Sequence, residues 1–134
     1  MISKSERKSI YFVNVMQLDK IKEYHKLARA YYMNMHKGEK NPLELNSRTW
    51  GWFPTLEIAR LVVENNDTDI HECSYTWACI EEIKEGIFAY MVSQEWYEWN
   101  EKEHGYIKLD KIPPKMKRYM KKTYMGGKQI TSIG

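Results

Sequence analysis

Arg48-Thr49-Trp50-Gly51-Trp52-Phe53-Pro54-Thr55 heads the stretch, running on to Ile83, whose reading decides the fold. Arg48 to Phe53 is rich in the aromatic residues that suit a pleated, half-buried strand. Pro54 ends that strand, because it has no N–H to give to a ladder. Thr55 is then a good N-cap, and Glu57 sits near the positive end of the helix dipole. Leu56, Ala59, Leu61, Val62 and Val63 are read as the buried side of a short helix that reaches Asn65. Asn65-Asn66-Asp67-Thr68-Asp69 stops it with turn-forming residues. Tyr75 to Ile83 is a second strand, with Tyr75, Trp77 and Cys79 on one face and Thr76, Ala78 and Ile80 on the other.

Upstream, Ile10 to Met16 reads as a strand apolar on both faces, hence an interior one. Asp19 is an N-cap candidate for a helix from Lys20 to His36, with an apolar stripe from Leu18 to Met35 and Gly38 at its C-terminal end. His25 and His36 fall on its flank as solvated residues. Glu39 to Ser47, interrupted by Pro42, is expected to be a flexible loop. Downstream, Lys84-Glu85-Gly86 is a turn and Ile87 to Val92 a further strand. Trp96 to Asn100 and Tyr106 to Leu109 form a hairpin around residues 101–105. Pro113-Pro114 closes the compact part. Beyond it a short basic helix carries Lys115, Lys117, Arg118, Lys121 and Lys122 and ends at Gly126-Gly127. The expected fold is a single α+β domain with an antiparallel or mixed sheet and two packed helices over residues 1–112. A basic helix and tail occupy residues 113–134.

A chain of 134 residues, 43% hydrophobic and 13% aromatic, is long enough to build one core without metal or disulfide staples. No run approaches the length of a membrane span, and residues 1–8 are too charged for a signal peptide, so cytoplasmic residence is expected. Cys73 and Cys79 would share one strand face roughly 20 Å apart, too far for a disulfide, and read as buried thiols. Their spacing, even with His71 added, is not that of a zinc site, and Asp67 with Asp69 lacks the calcium-loop pattern. Neither metal nor cofactor is expected. Charge is lopsided: twelve acidic against three basic residues between Glu57 and Glu103, then eight basic against one acidic from Lys108 onward. Opposed blocks of this kind compensate within the chain or between subunits, and a homo-oligomer is the expectation.

Strict alternation puts Arg48, Trp50 and Trp52 on one face, where they could hold a flat ligand by stacking and cation–π contact. Trp96, Tyr97 and Trp99 form a second aromatic group. The competing reading of both sets is ordinary core. Glu81 and Glu82 point to opposite faces of a strand and so do not pair as carboxylates. The chain carries no phosphate-cradling glycine loop, nucleophile elbow or HExxH, and an enzyme is not expected.

One longer pattern spans much of the chain. It begins Arg48-Thr49-x-Gly51-Trp52-Phe53-x-x-Leu56-Glu57-x-Ala59, continues through Asp69-Ile70-x-Glu72, and ends Tyr75-x-Trp77-Ala78-x-Ile80-Glu81-Glu82-Ile83. With Trp96-Tyr97-x-Trp99, this resembles small proteins of unassigned activity in phages, prophages and gut Firmicutes. The resemblance covers about Arg48 to Leu109 together with the terminal Ser132-Ile133-Gly134, does not extend to Met1 to Ser47, and implies a setting rather than a chemistry. The expectation is a non-enzymatic phage accessory protein that counteracts host defence, by sequestering a nucleotide-like signal or blocking a host protein. Nucleic-acid binding through the basic C-terminal residues is the alternative, against which the acidic middle section argues.

Overall fold

A computed structural model describes residues 7–20, 43–86, 90–122 and 129–131. Five strands form one sheet: β1 (Ser9–Lys20), β2 (Leu43–Phe53), β3 (Trp77–Lys84), β4 (Tyr90–Asn100) and β5 (Gly105–Lys108). Their order is β2-β1-β3-β4-β5, and every neighbouring pair is antiparallel. Helix α1 (Leu56–Glu64) covers one face and helix α2 (Pro114–Lys122) the other. The result is an α+β domain. No helix among the described residues is long and apolar enough to cross a membrane.

β1 lies between β2 and β3, and Val13, Asn14, Val15 and Met16 are each completely buried, in keeping with an interior strand. It runs further than expected. Asp19 is not a helix cap: Asp19 and Lys20 continue the ladder opposite Glu44 and Leu43. Ladder hydrogen bonds to a neighbouring strand outweigh a local capping preference that can contribute only about 1 kcal/mol. The helix expected as far as His36 lies, after Lys20, outside the described residues. Leu43 to Ser47, expected to be loop, is the first half of β2. Leu43 and Leu45 alternate there with Glu44 and Asn46, a period of two that fits a half-buried strand. The strand expected from Ile87 to Val92 and the one beginning at Trp96 belong, from Tyr90 onward, to the continuous β4.

Two bulges shape the sheet. In the β1–β2 ladder the partner of Val13 is Gly51 and that of Asn14 is Thr49, so Trp50 is an extra residue. In the β3–β4 ladder Val92 is extra in the same way. Each insertion resets which face the following side chains occupy.

α1 starts as its sequence dictates: Thr55 is extended, and its hydroxyl accepts from the Ile58 N–H at 3.3 Å. Ala59 and Val63 are fully buried and Leu56 packs beside them against Val13, Val15, Ala78, Ile80 and Tyr97. Leu61, expected on that side, is 58% exposed, because it lies two residues from Ala59, roughly 200° around the helix. The carbonyl of Glu64 comes so near β5 that a Cβ at Gly105 would lie 3.3 Å from it, which leaves room for glycine alone without adjustment.

α2 packs Met116, Tyr119 and Met120 onto Met16, Trp77, Cys79 and Trp96. The division expected after residue 112 therefore does not coincide with a break in packing. Cys79 belongs to this core, and burial pushes its thiol pKa well up. Cys73 does not: it is exposed in the turn before β3, so only one of the two thiols is buried.

Candidate functional site

The bulge at Trp50 decides the fate of the expected aromatic face. Arg48, opposite Val15, and Trp50, packed against the α1-side core, lie on one side of the sheet; Trp52, opposite Phe12, lies on the other. The Arg48 guanidinium stands 4.8 Å from the centre of the Trp50 ring, a cation–π contact at the sheet edge. The Trp50 indole N–H donates to Thr68 Oγ1 at 3.2 Å, fixing the ring against the loop that follows α1. That loop is unusual in its backbone. Asn66, Thr68, Asp69 and Ser74 all have positive φ, between 48° and 59°, a region that L residues other than Asn and Asp seldom visit. Buried Ile70 and Tyr75 hold it down, and Tyr75 accepts a hydrogen bond through its carbonyl from the Tyr106 hydroxyl at 2.9 Å.

The second aromatic group divides as well. Trp96 is in the core under α2 and Tyr97 is in the core under α1, both closed to solvent. Trp99 is half-buried. Its ring stacks on His71 at 3.5 Å and 7°, with Tyr106 and His104 set edge-on, each 5.2 Å away. Desolvation in this group lowers the His71 pKa, partly offset by Glu101 and Asp69. Tyr106 is pushed up, first by burial.

Beside it, Arg60 of α1 forms a bidentate ion pair with Glu95 of β4, its Nε donating to Oε2 at 2.9 Å. Tyr97 donates its hydroxyl to the same carboxylate at 3.1 Å, and Lys108 Nζ stands 3.7 Å from it. The Arg60 hydrogen bond holds the Glu95 carboxyl below its ordinary value. Burial, with Glu95 beside it, drives the Tyr97 phenol up. Every charge here has a partner, so this cluster ties helix to sheet.

The feature that residue-by-residue reading missed is a polar row across the α2 face. Thr49, Asn14, Glu81 and Gln94 come from β2, β1, β3 and β4 in turn. The Thr49 hydroxyl donates to Asn14 Oδ1 at 2.7 Å, and Asn14 Nδ2 donates to Glu81 Oε1 at 3.0 Å. Gln94 donates to Glu81 Oε2 at 2.6 Å. The backbone N–H groups of Ile130 and Thr131 and the Thr131 hydroxyl complete the shell. Glu81 is entirely buried and accepts from five donor groups, all without a cation among the described residues. Such a shell satisfies a buried carboxylate that would otherwise be costly to hold in the core. One signal was available in the sequence: Asn14 interrupts an apolar stretch of strand, and Glu81 alternates onto the same face as Trp77 and Cys79.

The remaining candidates are surface residues. Lys115, Lys117, Arg118 and Lys121 are exposed on α2, and Lys122 closes that helix. Trp52 is 60% exposed at the end of β2, and Ile58 and Leu61 stand out from α1. A depression of about 370 Å³ between β4 and the segment that runs from the end of β5 to Ile112 is lined by charged and apolar residues including Glu95, Trp96, Lys108 and Lys111. None of the expected ligand residues except Trp96 borders it. Among the described residues no three His, Cys, Asp or Glu side chains converge as a metal site. Set beside known protein families, curated proteins and solved structures, the chain finds no match.

Proposed function

We propose that this domain acts by binding rather than by catalysis, as a phage or prophage accessory protein that counteracts host defence by occupying a host protein. The observation that carries the choice of a protein partner is the exposure of Trp52, Leu61 and Ile58, against the burial of Trp96 and Tyr97. Large apolar side chains held in water suit contact with protein, where tryptophan is a favoured anchor: Trp52 stands on the α2 side of the sheet, and Ile58 and Leu61 stand on α1 across it. The phage setting rests on the sequence resemblance between Arg48 and Leu109. Sequestration of a nucleotide-like signal ranks second. Arg48 over Trp50 offers one cation and one indole, and the other expected aromatic residues are elsewhere. Nucleic-acid binding has in its favour the four exposed basic residues of α2.

The test is quantitative capture from bacterial lysate, with and without nuclease, using the wild type, Trp52→Ala, Leu61→Glu and a Lys117→Glu/Arg118→Glu variant. A host protein retained by the wild type and lost with Leu61→Glu, at unchanged thermal midpoint, supports the reading. Retention that depends only on the basic helix and disappears with nuclease transfers the assignment to nucleic acid.

A further inference from the structure

We propose that two copies of this chain join through their β2 edges, antiparallel, about a two-fold axis at Asn46. The proposal goes beyond the binding reading and is independent of which partner that reading names. β2 and β5 are the two edges of the sheet, and they differ in kind. β5 has four residues, too short to template another strand. β2 has eleven, contains no proline, and pairs on one side only, with β1, among the described residues. Asn46, Ser47, Arg48 and Thr49 are all exposed along it. A long edge with open N–H and C=O groups is a ready template for a further strand.

Charge selects the occupant. Glu44 and Asp19 stand directly opposite each other in the β1–β2 ladder, two carboxylates on one face, with Gln17 donating to Asp19 at 3.3 Å and no cation paired with either among the described residues. Like charges so placed are unfavourable. Four residues along the same strand and on the same face, Arg48 touches the Trp50 ring and has no carboxylate within ion-pair distance among the described residues. Within one copy the arginine is about 13 Å of strand away from the acids and cannot answer them. Antiparallel pairing centred on Asn46 sets Arg48 of each copy opposite Glu44 of the other, twice by symmetry, as an isologous interface requires. An axis at Arg48 or at Glu44 would oppose like charges instead. The pairing runs from Leu43 opposite Thr49 to Thr49 opposite Leu43, and it stops where the bulge at Trp50 turns the strand.

Sedimentation equilibrium on the full chain tests this. The wild type should be a dimer. Glu44→Arg and Arg48→Glu should each weaken it roughly tenfold, since each reverses two symmetric pairs. The double variant Glu44→Arg/Arg48→Glu should return to near the wild-type dissociation constant. A monomeric wild type, or a dimer indifferent to the single reversals, overturns the proposal. So does a double variant weaker than either single one. Asn46→Cys in a Cys73→Ser background supplies a second readout: directly opposed residues have Cβ atoms about 4.5–5.5 Å apart, wider than a relaxed disulfide but within reach of a short bifunctional thiol reagent, which should link the copies. Failure of Asn46→Cys to cross-link while the protein is dimeric overturns the register.

Discussion

Thr131 donates both its backbone N–H and its hydroxyl to Oε1 of Glu81, each at 2.6 Å, and so fastens residues 129–131 to the middle of the sheet. Gln129 extends the attachment, accepting from the Met91 N–H at 3.0 Å. The carboxylate is thus satisfied partly by its own strand neighbours and partly by a segment nearly fifty residues away in sequence.

Replacing Glu81 by glutamine puts an amide donor among groups that themselves donate. Glu81→Gln should cost about 3 kcal/mol of folding stability, the scale of breaking a buried charged hydrogen-bond set. Thr131→Val keeps the backbone N–H and removes two hydroxyl bonds, the one given to Glu81 and the one accepted from Asn14 Nδ2 at 2.8 Å, for about 1–2 kcal/mol. Urea denaturation checks both, and equal effects from the two variants would count against the shell as described.

Packing of α2 gives a contrast along a single helix. Met116 is fully buried against Trp77 and Trp96, so Met116→Ala should cost about 2–4 kcal/mol. Lys117 one residue on is exposed, and Lys117→Ala should change stability by no more than about 0.5 kcal/mol. If Met116→Ala were as mild as Lys117→Ala, α2 would not be seated on the sheet.

Acid stability should depend on Arg60. The folded Glu95 carboxyl is held low by the Arg60 hydrogen bond, so its contribution is fully present above the unfolded glutamate value near ~4.3. It disappears as pH falls through the lower folded pKa. Arg60→Met removes the main cause of that depression and should move the acid-unfolding midpoint upward. Circular dichroism followed during acid titration measures it, and an unmoved midpoint would assign the acid limb to other carboxylates.

His71 should make Trp99 a pH reporter. Burial holds the folded imidazole pKa below its ordinary value; Glu101 and Asp69 oppose this and His104 adds to it. The sign follows: the stability this burial contributes is present above the unfolded value near ~6.5 and is lost as pH falls through the folded pKa. Protonation places a cation on the stacked indole, so tryptophan emission should drop as the imidazole titrates. His71→Gln should abolish that step. A step that survives in the variant would belong to another group.

Much of the framework was legible in sequence because it rests on local rules. Pro54 and Thr55 mark the start of α1, and alternation assigns the two faces of Ile10 to Met16 correctly. In Tyr75 to Ile83 it does so only from Trp77 onward: Tyr75, expected beside Trp77 and Cys79, lies before β3 and packs in the α1-side core with Ala78 and Ile80. The failures share one cause. Asp19 reads as a cap and Leu43 to Ser47 as a loop until the two segments meet, and their pairing is a long-range hydrogen-bond pattern. Likewise, alternation fails across Trp50 because a bulge is a property of two strands in register.

The sequence alone determined the α+β class, the interior character of β1, the capped helix after Pro54, the opposite facing of Glu81 and Glu82, and the hairpin around residues 101–105. These follow from period, capping and turn chemistry within a few residues. Tertiary structure decided the rest. It placed Trp96 and Tyr97 inside and left Trp52 and Leu61 in water. It parted Trp52 from Arg48 and gathered Asn14, Glu81, Gln94 and Thr131 into one buried shell. The physical reason is that burial and hydrogen-bond partnership are set by which distant segments a side chain meets, and no single stretch of chain contains that information.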